Sequence, residues 1–480
     1  MIEKYIGGRS CAILGLGVSN LPLARYLNKK NIDLKVYDKM SVSELGGYSE
    51  ELEKNGVEFV ASGREFDGID GDVIFRSPGI RPDRLGLESA RQRGAELTSE
   101  MELFLKLTPA RTYAVTGSDG KTTTTTLVGR FLAENCRRTG NARTYVGGNI
   151  GEPLLTLCDE MLAEDNAVLE LSSFQLMTLT DAPERAAITN VSENHLDWHT
   201  DMDEYVSAKM NVVGKRTKRL VTNAECSVTL NIARQMSDRD MELILFSSDK
   251  DTYDNVLGEL VKRPRTFAVY VKNGYITVDN GDQAIRALSV EDIRIPGKHN
   301  VENFMTAIAL TWGDIPIDIY SDVARSFFGV EHRLELTRTL DGVEYYNSSI
   351  DSSPTRTAAA LSALAGRSLV LICGGYDKNL DYAPLAEAIC EHGGVRSLIL
   401  TGATGEKIEA KMCGYIARTG KGTDIRMERR EVFSDAVMLA REHAMVGDAV
   451  VLSPASASFD AFKNFMERGD TFKRIVSEFE

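Results

Sequence analysis

Thr112-Tyr113-Ala114-Val115-Thr116-Gly117-Ser118-Asp119-Gly120-Lys121-Thr122-Thr123 runs from a β-rich segment through a glycine loop into Lys-Thr-Thr, and a helix-forming stretch follows as far as Leu132. A strand, a glycine loop, a lysine and a helix N-terminus make a ready anion site. Backbone N–H groups of the first helical turn have no intrahelical acceptor, and glycines let a phosphate approach them closely. Gly117, Ser118, Asp119, Gly120 and Thr123 supply the cradle. Lys121 adds a point charge for the β- and γ-phosphates, and the Thr122 hydroxyl offers a Mg2+ position. The spacing is G-x-x-G-K-T-T, with Val115 where the longer phosphate-loop pattern carries its first glycine. An ordinary βα turn with a solvated lysine is the plain alternative, and the flanking strand and helix argue against it.

Outward from this loop, apolar runs of strand length alternate with helix-period segments along nearly the whole chain, which predicts an α/β protein with parallel sheets. At 480 residues, three domains are expected. The first block has strands at Ser10–Leu14, Asp33–Tyr37 and Asp72–Phe75, with a helix through Leu21–Asn28. The second opens near Pro109 with the strand Thr112–Val115. It continues with Ala167–Leu169, Ala186–Thr189 and Arg219–Thr222, and closes with the helix Val301–Thr311. The third starts near Phe328–Gly329 and contains Ser368–Cys373, Ser397–Leu400 and Asp448–Leu452. Between Asn223 and Pro296, Phe267–Val271 and Tyr275–Val278 read as peripheral antiparallel strands. The expected organisation is a Rossmann-like domain at 1–109, a central ATP-binding domain at 110–329 and a second Rossmann-like α/β domain at 330–480.

Hydrophobic residues make up 43% and charged residues 26%, the balance of a globular protein. A formal net charge of −14 argues against wholesale binding to nucleic acid or an anionic membrane. The seven cysteines (11, 136, 158, 226, 373, 390 and 413) are scattered and odd in number, as for reduced thiols. MIEKYIGGRS leads straight into a strand without an apolar signal region, and no stretch approaches the ~20 apolar residues of a membrane span. A cytoplasmic protein is expected.

Ligands of parallel sheets sit outside the carboxyl ends of the strands. Ala167–Leu169 runs into Glu170-Leu171-Ser172-Ser173, and Ala186–Thr189 into Asn190-Val191-Ser192-Glu193-Asn194-His195. A carboxylate and a histidine would then face the phosphate loop, as hard-cation chemistry beside a triphosphate requires. Singly, Glu170 also reads as a helix N-terminal acid and His195 as a surface loop residue. Gly15-Leu16-Gly17-Val18-Ser19-Asn20 looks like a dinucleotide fingerprint, with Asp38 at the ribose-binding distance, but Asn20 replaces the third glycine. A nicotinamide-dependent oxidoreductase therefore stays open, as does a purely structural turn.

These residues are joined by Ser77-Pro78-Gly79-Ile80, Gly147–Pro153, Glu170–Leu176, Asn190–His199, Gly297–Phe304, His332–Glu335, Gly374–Lys378 and Leu452–Gly469. Together they resemble the Mur ligases, the ATP-dependent amide-bond formers of peptidoglycan synthesis, over the whole chain. Glu170–Leu176 and Leu452–Gly469 favour the branch that adds D-glutamate to UDP-N-acetylmuramoyl-L-alanine. A folylpolyglutamate-synthase-like ligase is the sister alternative.

The resemblance implies an acyl-phosphate mechanism and two Mg2+ ions, the first on Thr122 and Glu170. His195 and a carbamylated Lys209 would serve the second. A plain lysine has no acceptor for a metal, and without the resemblance Lys209 reads as a solvated lysine on the helix Asp203–Val212. The resemblance further places Val18, Ser19, Asp38 and Gly79 around uracil and diphosphate, and Asn149 and His195 by the sugar nucleotide. Asn300 and Asn303 would lie at adenine and ribose. Arg333 would reach the γ-phosphate, and Lys378, Ser458 and Phe465 would hold glutamate, although Phe465 also reads as core. It implies a monomer. One stretch departs: the family's Asn-Asp-Ser-Lys-Ala-Thr-Asn is here Asn347-Ser348-Ser349-Ile350-Asp351-Ser352-Ser353-Pro354-Thr355. Asp351 is the candidate to replace the missing carboxylate near ATP, and the choice between D- and L-glutamate stays open.

Overall fold

A computed structural model describes residues 1–17, 20–45, 47–60, 68–151, 153–196, 198–254, 263–378 and 380–480. The apolar runs form three sheets. The first contains β1 (Cys11–Leu14), β2 (Leu34–Tyr37), β3 (Glu58–Val60), β4 (Val73–Arg76) and β5 (Glu96–Thr98). Its order is β3-β2-β1-β4-β5 and every pairing is parallel. The strand order reverses at β1 and β4, which leaves a crevice at their carboxyl ends.

The second sheet contains β6 (Arg111–Thr116), β7 (Thr144–Gly148), β8 (Asn166–Glu170), β9 (Arg185–Ile188) and β10 (Arg219–Asn223). It continues with β11 (Glu242–Ser247), β12 (Thr266–Lys272), β13 (Tyr275–Asp279) and β14 (Ala284–Ser289). In the order β14-β13-β12-β11-β10-β9-β6-β8-β7, β6 lies between β8 and β9. The strand that feeds the phosphate loop is therefore flanked by the strands that end in Glu170 and lead to His195. β8 is buried along its full length, as a strand covered on both faces must be.

The third sheet holds β15 (Glu335–Leu340), β16 (Val343–Asn347), β17 (Leu369–Gly374), β18 (Val395–Thr401), β19 (Arg426–Arg429) and β20 (Ala449–Leu452). Its order is β15-β16-β20-β17-β18-β19, and only the β15–β16 hairpin is antiparallel.

The region between Asn223 and Pro296 is more regular than its sequence suggests. The helix Ser227–Met236 provides a crossover into β11, and β12 runs parallel to β11. Only the pairings of β13 with β12 and β14 are antiparallel, so the Phe267–Val271 segment belongs half to each pattern.

The chain packs as two compact units. One comprises Met1–Asp292 with His299–Ala324 and carries the first two sheets. The other comprises Ile293–Lys298 with Arg325–Glu480 and carries the third. In the first unit one continuous apolar core joins Met101 and Phe104 to Leu154, Leu155 and Leu176. In the second, apolar layers cover both faces of the third sheet. All seven cysteines are free thiols. Among the described residues, no helix is long and apolar enough to cross a membrane.

Candidate active site

β6 delivers the chain into Gly117–Gly120, and the helix Lys121–Thr139 starts from Gly120. The loop is held from the neighbouring strand end. The Ser118 and Asp119 amides donate to the Asn190 carbonyl and Oδ1, each at 2.9 Å, and Thr189 Oγ1 donates to the Asp119 carbonyl at 2.6 Å. Gly117 sits at φ 145°, and a Cβ there would lie 1.9 Å from Thr189 Oγ1, so no other residue fits. Behind Gly120 stands Asn303, which accepts from Thr124 Oγ1 and donates to Asn300 Oδ1 at 3.1 Å. Lys121 Nζ folds back onto its own loop, donating to the carbonyls of Gly117 (3.0 Å) and Ser118 (2.8 Å).

Lys209 lies on the helix Met202–Met210, capped by the Asp201 side chain. It is 1% exposed, which removes the reading of a solvated lysine. Its Nζ donates to the Gly117 carbonyl at 2.8 Å and sits 4.4 Å from the centre of the Tyr205 ring. The Tyr205 hydroxyl in turn meets Ser118 Oγ at 3.0 Å. Burial, with the nearby Lys121 charge, pulls the Lys209 pKa down to about 7. A neutral, nucleophilic amine is therefore abundant near neutral pH.

Glu170 ends β8 with 2% exposure. Its Oε1 accepts from Asn149 Nδ2 at 2.8 Å, while its buried Oε2 has no hydrogen-bond partner among the described residues. A buried carboxylate oxygen in that condition costs free energy unless a cation or donor arrives. Immediately after it, Ser172 and Gln175 form a reciprocal capping box that starts the helix Ser173–Leu176. His195 takes a left-handed φ of 57°, and its ring lies edge-on to Phe174 at 4.9 Å. For a non-glycine residue this conformation is strained, as is common where function places a side chain.

The Mur ligase middle domain matches residues 115–311, the segment that builds this loop and its neighbours. Over the full chain, the UDP-N-acetylmuramoylalanine–D-glutamate ligase of Acetivibrio thermocellus is 41% identical, covering 100% of this chain and 98% of the relative. The chain belongs to the Mur ligase family. The enzyme of the same name from Ruminiclostridium cellulolyticum is also 41% identical, over 99% of this chain and 98% of its own length. Among solved structures, the UDP-N-acetylmuramate-alanine ligase MurC of Thermotoga maritima shares the fold. Its TM-score is 0.56 at 16% identity, with 98% of this chain and 100% of that one covered.

In this Mur ligase the first-sheet residues are used partly by the fold itself. Asp38 Oδ2 accepts from the Leu16 amide at 2.7 Å and Oδ1 from the Met40 amide at 2.9 Å, so the carboxylate shapes the glycine turn. The Gly79 carbonyl accepts from Trp198 Nε1 at 3.1 Å. Val18 and Ser19 lie outside the described residues. Asn149, expected at the sugar nucleotide, directs its amide to Glu170.

In the second unit, Arg333 follows His332, which has a left-handed φ of 62° and whose ring stands against Phe465 at 5.9 Å. Lys378 Nζ lies 5.6 Å from the Phe459 ring, next to the buried Ser458. Asp351 is buried and accepts from Ser453 Oγ at 2.8 Å; burial raises its pKa against the hydroxyls of Ser348 and Ser453.

The departing stretch is tied down by Arg468, a residue that sequence reasoning missed. Its guanidinium is 2% exposed and binds Ser349 through Oγ (3.0 Å) and the carbonyl (2.9 Å). It also binds the carbonyls of Ser456 (3.1 Å) and Ala457 (3.0 Å). Burial pulls its pKa down to about 10. An arginine in an otherwise ordinary amphipathic helix gives no warning of this. Tyr205, which meets Ser118, lies in none of the quoted motifs and was missed as well, whereas Asn149 was expected at the sugar nucleotide and its contact with Glu170 is the addition.

Proposed function

We propose that this chain joins D-glutamate to UDP-N-acetylmuramoyl-L-alanine at the expense of ATP, a step of peptidoglycan precursor synthesis carried out in the cytoplasm. The observation that carries the chemistry is a pair of buried groups around the phosphate loop that among the described residues have no ion pair (the Lys209 amine) and no hydrogen-bond partner (Glu170 Oε2). The acceptor and the amino acid come from the names of relatives that are 41% identical along their full length. We further assign acceptor, ATP and glutamate binding to residues 1–109, 110–329 and 330–480 respectively.

A carboxylate is a poor electrophile, so the acceptor's carboxylate oxygen first bonds to the γ-phosphorus of ATP as the bond to ADP breaks. The glutamate nitrogen then bonds to the carbonyl carbon, phosphate departs with the electron pair, and the amine proton passes to solvent. Lys121, released from its own loop carbonyls, and Arg333 would offset charge on the transferred group. Asn300 and Asn303 would flank the nucleoside of ATP. Asp38, Gly79, Asn149 and His195 would flank the sugar nucleotide, and Lys378, Ser458 and Phe465 the glutamate. Lysine is the natural selector for an acidic side chain.

Three of the four donors, Thr122, Glu170 and a carbamylated Lys209, offer the hard oxygens that Mg2+ prefers, and His195 adds a ring nitrogen. Thr122, Glu170, His195 and a carbamylated Lys209 would hold two such ions, whose chemistry when bound is to neutralise the phosphoryl oxygens. The low Lys209 pKa supports carbamylation, because only the neutral amine adds to CO2, forming the N–C bond and releasing a proton.

Phosphate release from ATP with UDP-N-acetylmuramoyl-L-alanine, comparing D-glutamate, L-glutamate and no amino acid, tests the reading. D-glutamate is expected to accelerate release. No acceleration by either enantiomer overturns the ligase reading, and a preference for L-glutamate overturns its stereochemistry.

A further inference from the structure

Two arginines flank the loop Ser77–Ile80, and both reach from the first sheet to the second. Arg76, at the end of β4, is 0% exposed. Its Nη1 donates to the Ser77 and Pro78 carbonyls at 3.3 and 3.1 Å, and its Nη2 to the Phe174 carbonyl at 3.2 Å. Arg81, on the other side of the loop, donates from Nη1 to the Trp198 carbonyl at 2.7 Å and pairs through Nη2 with Glu204 Oε1 at 2.9 Å. Its guanidinium also lies 5.1 Å from the Trp198 ring centre. Trp198 closes the circle by donating Nε1 to the Gly79 carbonyl within the loop.

The connection continues past Glu204. Its Oε2 accepts from the Thr200 amide at 2.9 Å and faces His199 Nδ1 at 3.1 Å, and His199 Nε2 meets Ser173 Oγ at 2.9 Å. Glu204 shares its helix with Lys209, and Ser173 opens the helix that follows Glu170. We propose that Arg81 and Glu204 are positioning residues that fix the acceptor loop Ser77–Ile80 against two groups of the reaction centre, Lys209 on its helix and Glu170 at its strand end. The proposal rests on the ligase reading above. The guanidinium is held by two carboxylates, Asp83 (Nε to Oδ1 at 3.0 Å, Nη2 to Oδ2 at 2.9 Å) and Glu204, with a carbonyl and an aromatic face, which fixes orientation as well as distance where a single point charge does not. Arg81 holds the Glu204 carboxyl down at about 2, so the pair stays ionised at any working pH.

An ordinary inter-sheet clamp would lower stability and all activities together, whereas positioning singles out the acceptor. The test is steady-state ligation by the full chain for Arg81→Ala, Glu204→Gln and the double variant. The acceptor KM is expected to rise about tenfold and kcat to fall about tenfold, with the KM for ATP within about twofold of wild type. The double variant should be no worse than the worse single, because both break one link. Arg81→Lys, which keeps the charge without the fork, should recover part of the acceptor KM. An unchanged acceptor KM in either single variant overturns the proposal, as do losses that multiply in the double variant. Glu204→Gln keeps the side-chain shape and carries the test alone should Arg81→Ala not fold. Failure of the wild-type chain to ligate would instead strike the ligase reading itself.

Discussion

The two edges of the second sheet treat buried charge in opposite ways. At the amino edge, where β9, β10 and β11 begin, each buried cation has its acid. Arg219, 8% exposed at the side chain, donates Nε to Glu242 at 2.7 Å and Nη1 to the Leu310 carbonyl at 3.1 Å. Arg185 pairs with Asp314 at 2.6 Å, which also accepts from the Tyr113 hydroxyl at 3.2 Å. At the carboxyl edge, Lys209 has only carbonyl and ring partners among the described residues, and one Glu170 oxygen has none. Electrostatics that close on themselves hold a fold together; electrostatics left open wait for something to complete them.

Substitutions at the two edges should separate activity from stability. The largest effect is expected at Lys209→Ala, where ligation falls about a thousandfold or more, measured as phosphate release. The isosteric Lys209→Met should match that loss while melting no lower than wild type, because it removes a buried amine that has no ion pair among the described residues. A marked fall in its melting temperature would erase the contrast. Glu170→Gln should raise the Mg2+ concentration needed for half-maximal rate by about 10–100-fold; an unchanged Mg2+ titration would break the assignment of that edge to cation binding.

At the other edge, Arg219→Met should cost about 3 kcal/mol in urea unfolding, since Glu242 loses its partner. Its kcat should remain within about twofold of wild type. The smallest effect is on pH dependence. Lys209 titrates at about 7 in the fold against its ordinary 10.5, so between these values the unfolded chain binds the proton that the folded chain sheds. Stability of the ligand-free protein should therefore rise with pH across that window, and the rise should be reduced in Lys209→Met. Equal slopes in the two proteins would deny the amine its low pKa.

Most of the carboxyl edge was legible from sequence because it is built by local pattern. Apolar strands that end at Glu170 or lead directly into Gly117 and Asn190 place these residues by topology alone, and the parallel order follows from alternation with helices. The amino edge was not legible, since Arg219, Glu242 and Asp314 meet only in three dimensions. The same holds for Arg81 with Glu204 and for Arg468 with Ser349. The hairpin β15–β16 and the short edge strands β7 and β19 escaped because they lack a continuous apolar run. Burial of Lys209 was invisible because the helix Met202–Met210 has almost no amphipathic contrast to mark its inner face.

Gly117 carries one further consequence, for mutational drift. Its missing side chain leaves room for Thr189 Oγ1, and its carbonyl already serves both Lys121 and Lys209. A substitution there would strain the backbone, collide with Thr189 and displace two lysines at once. Escape from an inhibitor that grips the loop through its main-chain amides would find this position closed. Resistance would have to arise from residues farther from the loop.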